Sequence, residues 1–233
     1  MPIDIDTDAD IGSLNEIVRT LFGESAQTVD IVILLTILTL LPSILMMLTG
    51  FTRIIIVLSF IRQALGMQQT PPNQILIGLA LFLTFFVMQP VLTQVYEEAY
   101  VPFSEGQIEQ DEFLEQAMGP IREFMFYQTQ PTDLGFFVSA SRTEGATADD
   151  IDSIPSSVLI PAFITSEIKR AMFIGFFIYL PFITIDMIVA STLMSMGMMM
   201  LPPAMISLPF KVLLFVMVDG WQLIVTSLFA SFL

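Results

Sequence analysis

Apolar residues along the chain gather into four long blocks, at positions 29–61, 75–95, 160–193 and 206–229. As a single helix the first block would run about 50 Å, more than one perpendicular membrane crossing needs. Pro42 and Gly50 are its natural breaks or kinks. Residues 63–74, with Pro71 and Pro72, form a polar break before the second block, in which Gly78 permits close packing and Pro90 sits near the end. The third and fourth blocks flank a methionine-rich stretch followed by Pro202 and Pro203, which forbid an immediate helical restart. The pattern predicts an all-α membrane protein built from two long, kinked helical hairpins, 29–95 and 158–233.

Between the hairpins, residues 96–157 are polar and predict a small helical segment. Ile108, Phe113, Leu114 and Met118 mark one helix over 105–118. Pro120 fits the first turn of a second helix over 121–127, and residues 133–141 read as a third. Residues 142–156 read as a flexible tether. At the other end, residues 1–28 form an acidic segment of their own. Ser13 and Glu16 fit a capping box there, opening a short amphipathic helix over 13–22.

Composition sharpens this picture. A hydrophobic content of 55% and a mean hydropathy of +0.79 indicate an integral membrane protein. The chain has no cysteine and no histidine, which removes disulfides, thiol chemistry, and the commonest general base and metal ligand. No cofactor or metal is expected. The net charge of -15 is localised: residues 1–30 hold seven acids, and residues 97–155 hold thirteen. That charge argues against nucleic acid as a partner. It also suits translocation, so 96–157 is expected on the periplasmic side. Residues 1–28 lack the basic and apolar regions of a secretory signal. Insertion is therefore expected to rest on the first apolar block or on a leader already removed.

Charges inside apolar blocks are the candidate functional residues, because each costs roughly 2.5–3.5 kcal/mol on insertion scales unless it meets a partner or water. They are Arg53, Glu167, Lys169, Arg170, Asp186, Lys211 and Asp219. Arg53 either pairs or snorkels to an interface. Glu167 and Arg170 lie one turn apart and can pair locally. In a straight hairpin Asp186 is level with Lys211 and is its in-chain partner. A Glu167–Lys211 bridge would need a break at Pro181 or a neighbouring subunit, and such an intersubunit bridge is also expected. Met194, Met196, Met198, Met199 and Met200 crowd the turn between the last two blocks. Flexible thioethers there suggest a soft apolar seal, against the plainer reading of an ordinary packed turn.

Four stretches carry a family signature: FTRIIIVLSFIRQALG (51–66), PPNQILIGLALFLTFFVMQP (71–90), residues 161–203 from PAFITSEIKRAMF to MGMMMLPP, and LPFKVLLFVMVDGWQLI (208–224). Together they resemble the FliP family of type III secretion export-gate proteins. The resemblance implies a pentameric homo-oligomer that joins FliQ and FliR in a closed, helical, ring-like complex of the bacterial inner membrane, within the flagellar basal body beside FlhA and FlhB. Unfolded flagellar proteins would be its substrates, and the methionines of 194–200 its channel gasket. Two other classes compete on residues alone. An intramembrane aspartyl protease would use Asp186 and Asp219. An ion-coupled carrier would use Arg53, Glu167 and Lys211, but the halves of the chain show no convincing repeat. The chain is therefore not expected to be an enzyme.

Overall fold

A computed structural model describes residues 28–67, 70–141, 147, 150–198 and 200–232. The short helix expected over 13–22 lies outside them, as does most of the tether expected over 142–156. Among the described residues every regular element is helical. The chain divides into two compact units, residues 1–45 and 46–233.

The first apolar block forms two helices. α1 (Thr28–Leu48) carries Pro42 in its interior, and the break falls at Thr49 and Gly50 instead. The part of α1 in the first unit exposes Leu35, Leu38, Leu40 and Ile44. α2 (Phe51–Ala64) buries Phe51, Ile54, Val57, Leu58, Ile61 and Ala64. That spacing follows the helical period. The stretch read as part of a spanning hairpin is therefore a core helix of the second unit. Leu76 and Ala80 of α3 (Asn73–Val95) close over it, with Ala171, Phe182, Phe215, Ile224 and Leu228 from later helices. The alanines let the backbones approach, which is the main source of helix attraction where lipid replaces water.

α3 does not stop where its apolar run ends. It continues through a π-helical stretch, Tyr96–Tyr100, and a last turn, Val101–Ser104. The two helices expected around Pro120 are one, α4 (Gln110–Gln128), with Pro120 buried inside it. Pro120 forfeits one backbone bond, but Ile121, Phe124 and Met125 continue a single face against the next elements, and that packing outweighs the loss. α5 (Pro131–Ser141) matches the third helix predicted for this segment. Met125 and Leu134 meet Ile154, Val158, Leu159 and Phe163 in a second apolar cluster. Arg122 pins the end of the expected tether, donating to the carbonyls of Ile151 and Ile154 at 2.9 and 2.7 Å.

α6 (Ser156–Ser195) is one helix of 40 residues, unbroken at Pro161 and Pro181. At about 60 Å it is twice the hydrocarbon thickness of a bilayer. Its first turns sit under α4 and α5, and the run beyond Arg170 is the apolar part. The fourth block is not one helix. α7 (Pro203–Met217) and α8 (Gly220–Ala230) meet at a bend of 65°. By length and composition, Asn73–Ser104 and Ser156–Ser195 can cross a membrane, with the bent α7–α8 pair a third crossing if it counts as one span.

Candidate functional site: a buried polar hub and a methionine-rich turn

Arg53 enters the interior because α2 carries it on the face that also presents Phe51, Ile54 and Val57, and it is fully buried. A guanidinium has five N–H donors, and here all five are used. Nε donates to Glu167 Oε2 at 3.0 Å, and an Nη donates to the other carboxylate oxygen. Gln128 Oε1 accepts at 3.0 Å from that same Nη. The carbonyl and hydroxyl of Ser231 accept at 2.6 and 2.9 Å from the second. The ring of Phe232 stacks on the guanidinium, 3.9 Å from Cζ to the ring centre, and Gln128 Nε2 donates to the Phe232 carbonyl at 2.9 Å. One side chain thus ties α2, α4, α6 and the turn after α8 together. Glu167 is also fully buried. A buried pair of this kind is costly to break, because either partner alone is left uncompensated.

Arg170 donates to Gln128 Oε1 at 3.1 Å and makes no ion pair with Glu167. The local pairing expected one turn apart is displaced because Arg53 occupies both carboxylate oxygens. Lys169 instead reaches Asp133 on α5, whose second oxygen accepts from Ser166 at 2.8 Å. Burial opposes the charged form of Asp133, but the Lys169 and Ser166 donors outweigh it and hold its carboxyl below the ordinary value.

Farther along α6, Asp186 Oδ2 accepts from Lys211 Nζ at 2.6 Å and Oδ1 from the Ser207 hydroxyl at 2.5 Å. Lys211 and Ser207 are both buried. The structure does not join Glu167 to Lys211. Each already has a partner in its own chain, and Glu167 is sealed in the hub. Asp219 is not in a buried pair either: it is exposed, in the left-handed region at φ 50°, between α7 and α8.

The methionine-rich turn has a defined end. Gly197 lies at φ +74°, and its N–H donates to the Met194 carbonyl at 3.0 Å while Met198 N–H donates to Leu193 at 3.0 Å. This is the Schellman closure of a helix, which wants glycine at that position. Met194, Met196, Met198 and Met200 are all exposed, Met200 at 98%. Met199 lies outside the described residues. Sequence reasoning missed Gln128, Ser166, Ser207, Ser231 and Phe232. They are ordinary residues in local context and matter only through partners far along the chain.

The FliP family profile matches residues 34–228. A flagellar biosynthetic protein FliP from Pectobacterium carotovorum is 56% identical over 205 residues, 88% of this chain and 79% of the relative. One from Bacillus subtilis is 52% identical over 207 residues, 89% of this chain and 93% of the relative. A third, from Treponema pallidum, is 48% identical over 210 residues, covering 90% of this chain and 78% of that protein.

Proposed function

The chain belongs to the FliP family, and on that premise we propose that it is a membrane subunit of the flagellar type III export gate. In this reading several copies assemble, as a pentamer, with FliQ and FliR around a closed channel in the inner membrane. FlhA and FlhB stand beside it, unfolded flagellar proteins pass through it, and α4 and α5 lie on the periplasmic side. The observation that carries the reading is the turn at the end of α6. The Gly197 closure fixes its backbone there, while the side chains of Met194, Met196, Met198 and Met200 stay uncovered in the single chain. Repeated around an axis, such turns would form an apolar constriction that blocks ions by dewetting and yields to substrates of varied sequence.

The exposed faces of α3 and α6 support assembly. Phe82, Phe85 and Phe86 project from one, and Phe173, Phe176 and Phe177 from the other. A 40-residue helix is also easier to house inside a protein ring than in lipid alone. The carrier reading loses its pathway, because Arg53 and Glu167 are sealed in the hub with every Arg53 donor used, and Lys211 is buried against Asp186. The test replaces Met194, Met196, Met198 and Met200 by asparagine in the assembled complex and measures conductance in planar bilayers. The gate reading expects a complex of unchanged mass that now leaks ions. A tight bilayer with the substituted complex intact would refute it.

A further inference from the structure

The hairpin that carries the methionine-rich turn is tied by polar contacts at two levels, with apolar packing alone between them. Toward its tip, Asp186 of α6 holds Ser207 and Lys211 of α7. At its base, Arg53 joins Glu167 of α6 to Ser231 just beyond α8. Among the described residues, no ion pair or side-chain hydrogen bond links the two arms in the stretch between these ties.

Each arm has a weak point in that stretch. In α6, Pro181 has no N–H, so the Phe177 carbonyl lacks its helical partner. Just beyond, the Thr184 hydroxyl donates to the Leu180 carbonyl at 3.0 Å, a back-bond that favours bending. In the other arm, α7 stops at Met217, Asp219 turns left-handed at φ 50° and ψ 56°, and α8 departs at 65°. Asp219 is the one described non-glycine residue with positive φ.

Both weak points border one open apolar groove of about 430 Å³, whose lining includes Pro181, Val218 and Gly220. A second, partly open groove of about 210 Å³ is lined by Val212 and Val216 of α7 and by Leu58 and Leu65 around the end of α2.

We propose that Pro181 and Asp219 form a paired hinge, about which the outer hairpin, residues 182–218, swings as one piece. This rests on the gate reading and supplies the motion by which the methionine-rich turn would leave the channel axis. The Asp186 tie keeps the two arms in register as they move. A change of Asp219 from left-handed to right-handed backbone would straighten α7 into α8, and hinges usually confine the change to a few such residues. Aspartate visits both regions at modest cost.

The test uses the assembled export complex. Pro181→Ala restores the missing helical bond, and Ser227→Leu adds apolar bulk to the larger groove, which Ser227 lines. Each is expected to lower export of a flagellar substrate roughly ten-fold or more, with complex mass and resting conductance unchanged. Because the chain has no cysteine, spin labels on Ser139→Cys and Ser195→Cys can report the swing directly, with labelled chains diluted among unlabelled copies. Their distance is expected to shift when a substrate fused to a fast-folding domain stalls in the complex, and Pro181→Ala should abolish the shift. Wild-type export by both variants in intact complexes, or a label distance unmoved by stalled substrate, would overturn the hinge. Should a variant fail to assemble, the label distance in the otherwise native complex decides. Failure of the gate reading shows separately, as unchanged conductance after the methionine substitutions.

Discussion

Replacing Arg53 by methionine removes five donors and leaves Glu167 buried without its counter-charge. The expected loss is about 3–5 kcal/mol, read as a lower unfolding temperature of the detergent-solubilised protein. Replacing Glu167 by methionine as well should recover a large part, since two apolar side chains need no partners. A double variant no more stable than Arg53→Met would show that the charge pair is not what holds the hub. Asp133 offers a test in pH. Its folded carboxyl titrates below the ordinary value near 3.8, so its contribution is complete above that value and fades as pH falls through the folded one. The protection of α5 amides against hydrogen exchange, taken relative to the intrinsic rate at each pH, should therefore fall in acid, and Asp133→Asn should flatten that dependence. The sequence makes Arg53 conspicuous as a charge in an apolar run, but it does not show its partner. Glu167 lies 114 residues away, and Gln128 lies in another segment altogether. Asp186 and Lys211 are closer to legible, because they sit on two arms joined by one turn.

At the scale of elements, Gly197 separates conformation from contact. A Cβ added there would meet nothing within 4 Å, yet φ is +74°. Gly197→Ala is thus expected to cost about 1–2 kcal/mol through the backbone alone, and Gly197→Asn distinctly less. Both are measured by thermal unfolding, with exchange at Met198 reporting the fraying of α6. Equal costs for the two substitutions would mean that the left-handed turn is not the cause. Element boundaries were legible wherever proline met a change in polarity, as at Pro202 and Pro203. They were misread where proline stood alone within a continuous apolar face. Pro120, read as the first turn of a new helix, lies inside one, because one lost backbone bond is small beside the packing on either side. The bend at Asp219 has the opposite character. No proline marks it; in the sequence Asp219 reads as a charge that interrupts the apolar run there, and the backbone shows it to be a bend.

For the whole molecule, hydropathy measures how apolar a stretch is and not what covers it. α2 and the apolar run of α6 read alike in the sequence, yet α2 is enclosed by its own chain while α6 leaves Phe173, Phe176 and Phe177 bare. An apolar block therefore need not be a crossing, and orientation must come from the charged segment. α4 and α5 carry acids on exposed surface and pack on the first turns of α6 through Met125, Leu134 and Phe163. This places them at one end of the long helix, while the methionine-rich turn stands at the other. If that first end is periplasmic, a cysteine at Ser139 should react with a membrane-impermeant maleimide in intact spheroplasts. A cysteine at Arg62, on α2 near the base of α3, should react only after permeabilisation, or not at all. Labelling of both from outside would mean that the acidic segment does not define one side. Labelling of neither would put α5 within the assembly and shift the outward surface to the π-helical end of α3, where Glu97 and Glu98 offer the next positions to probe.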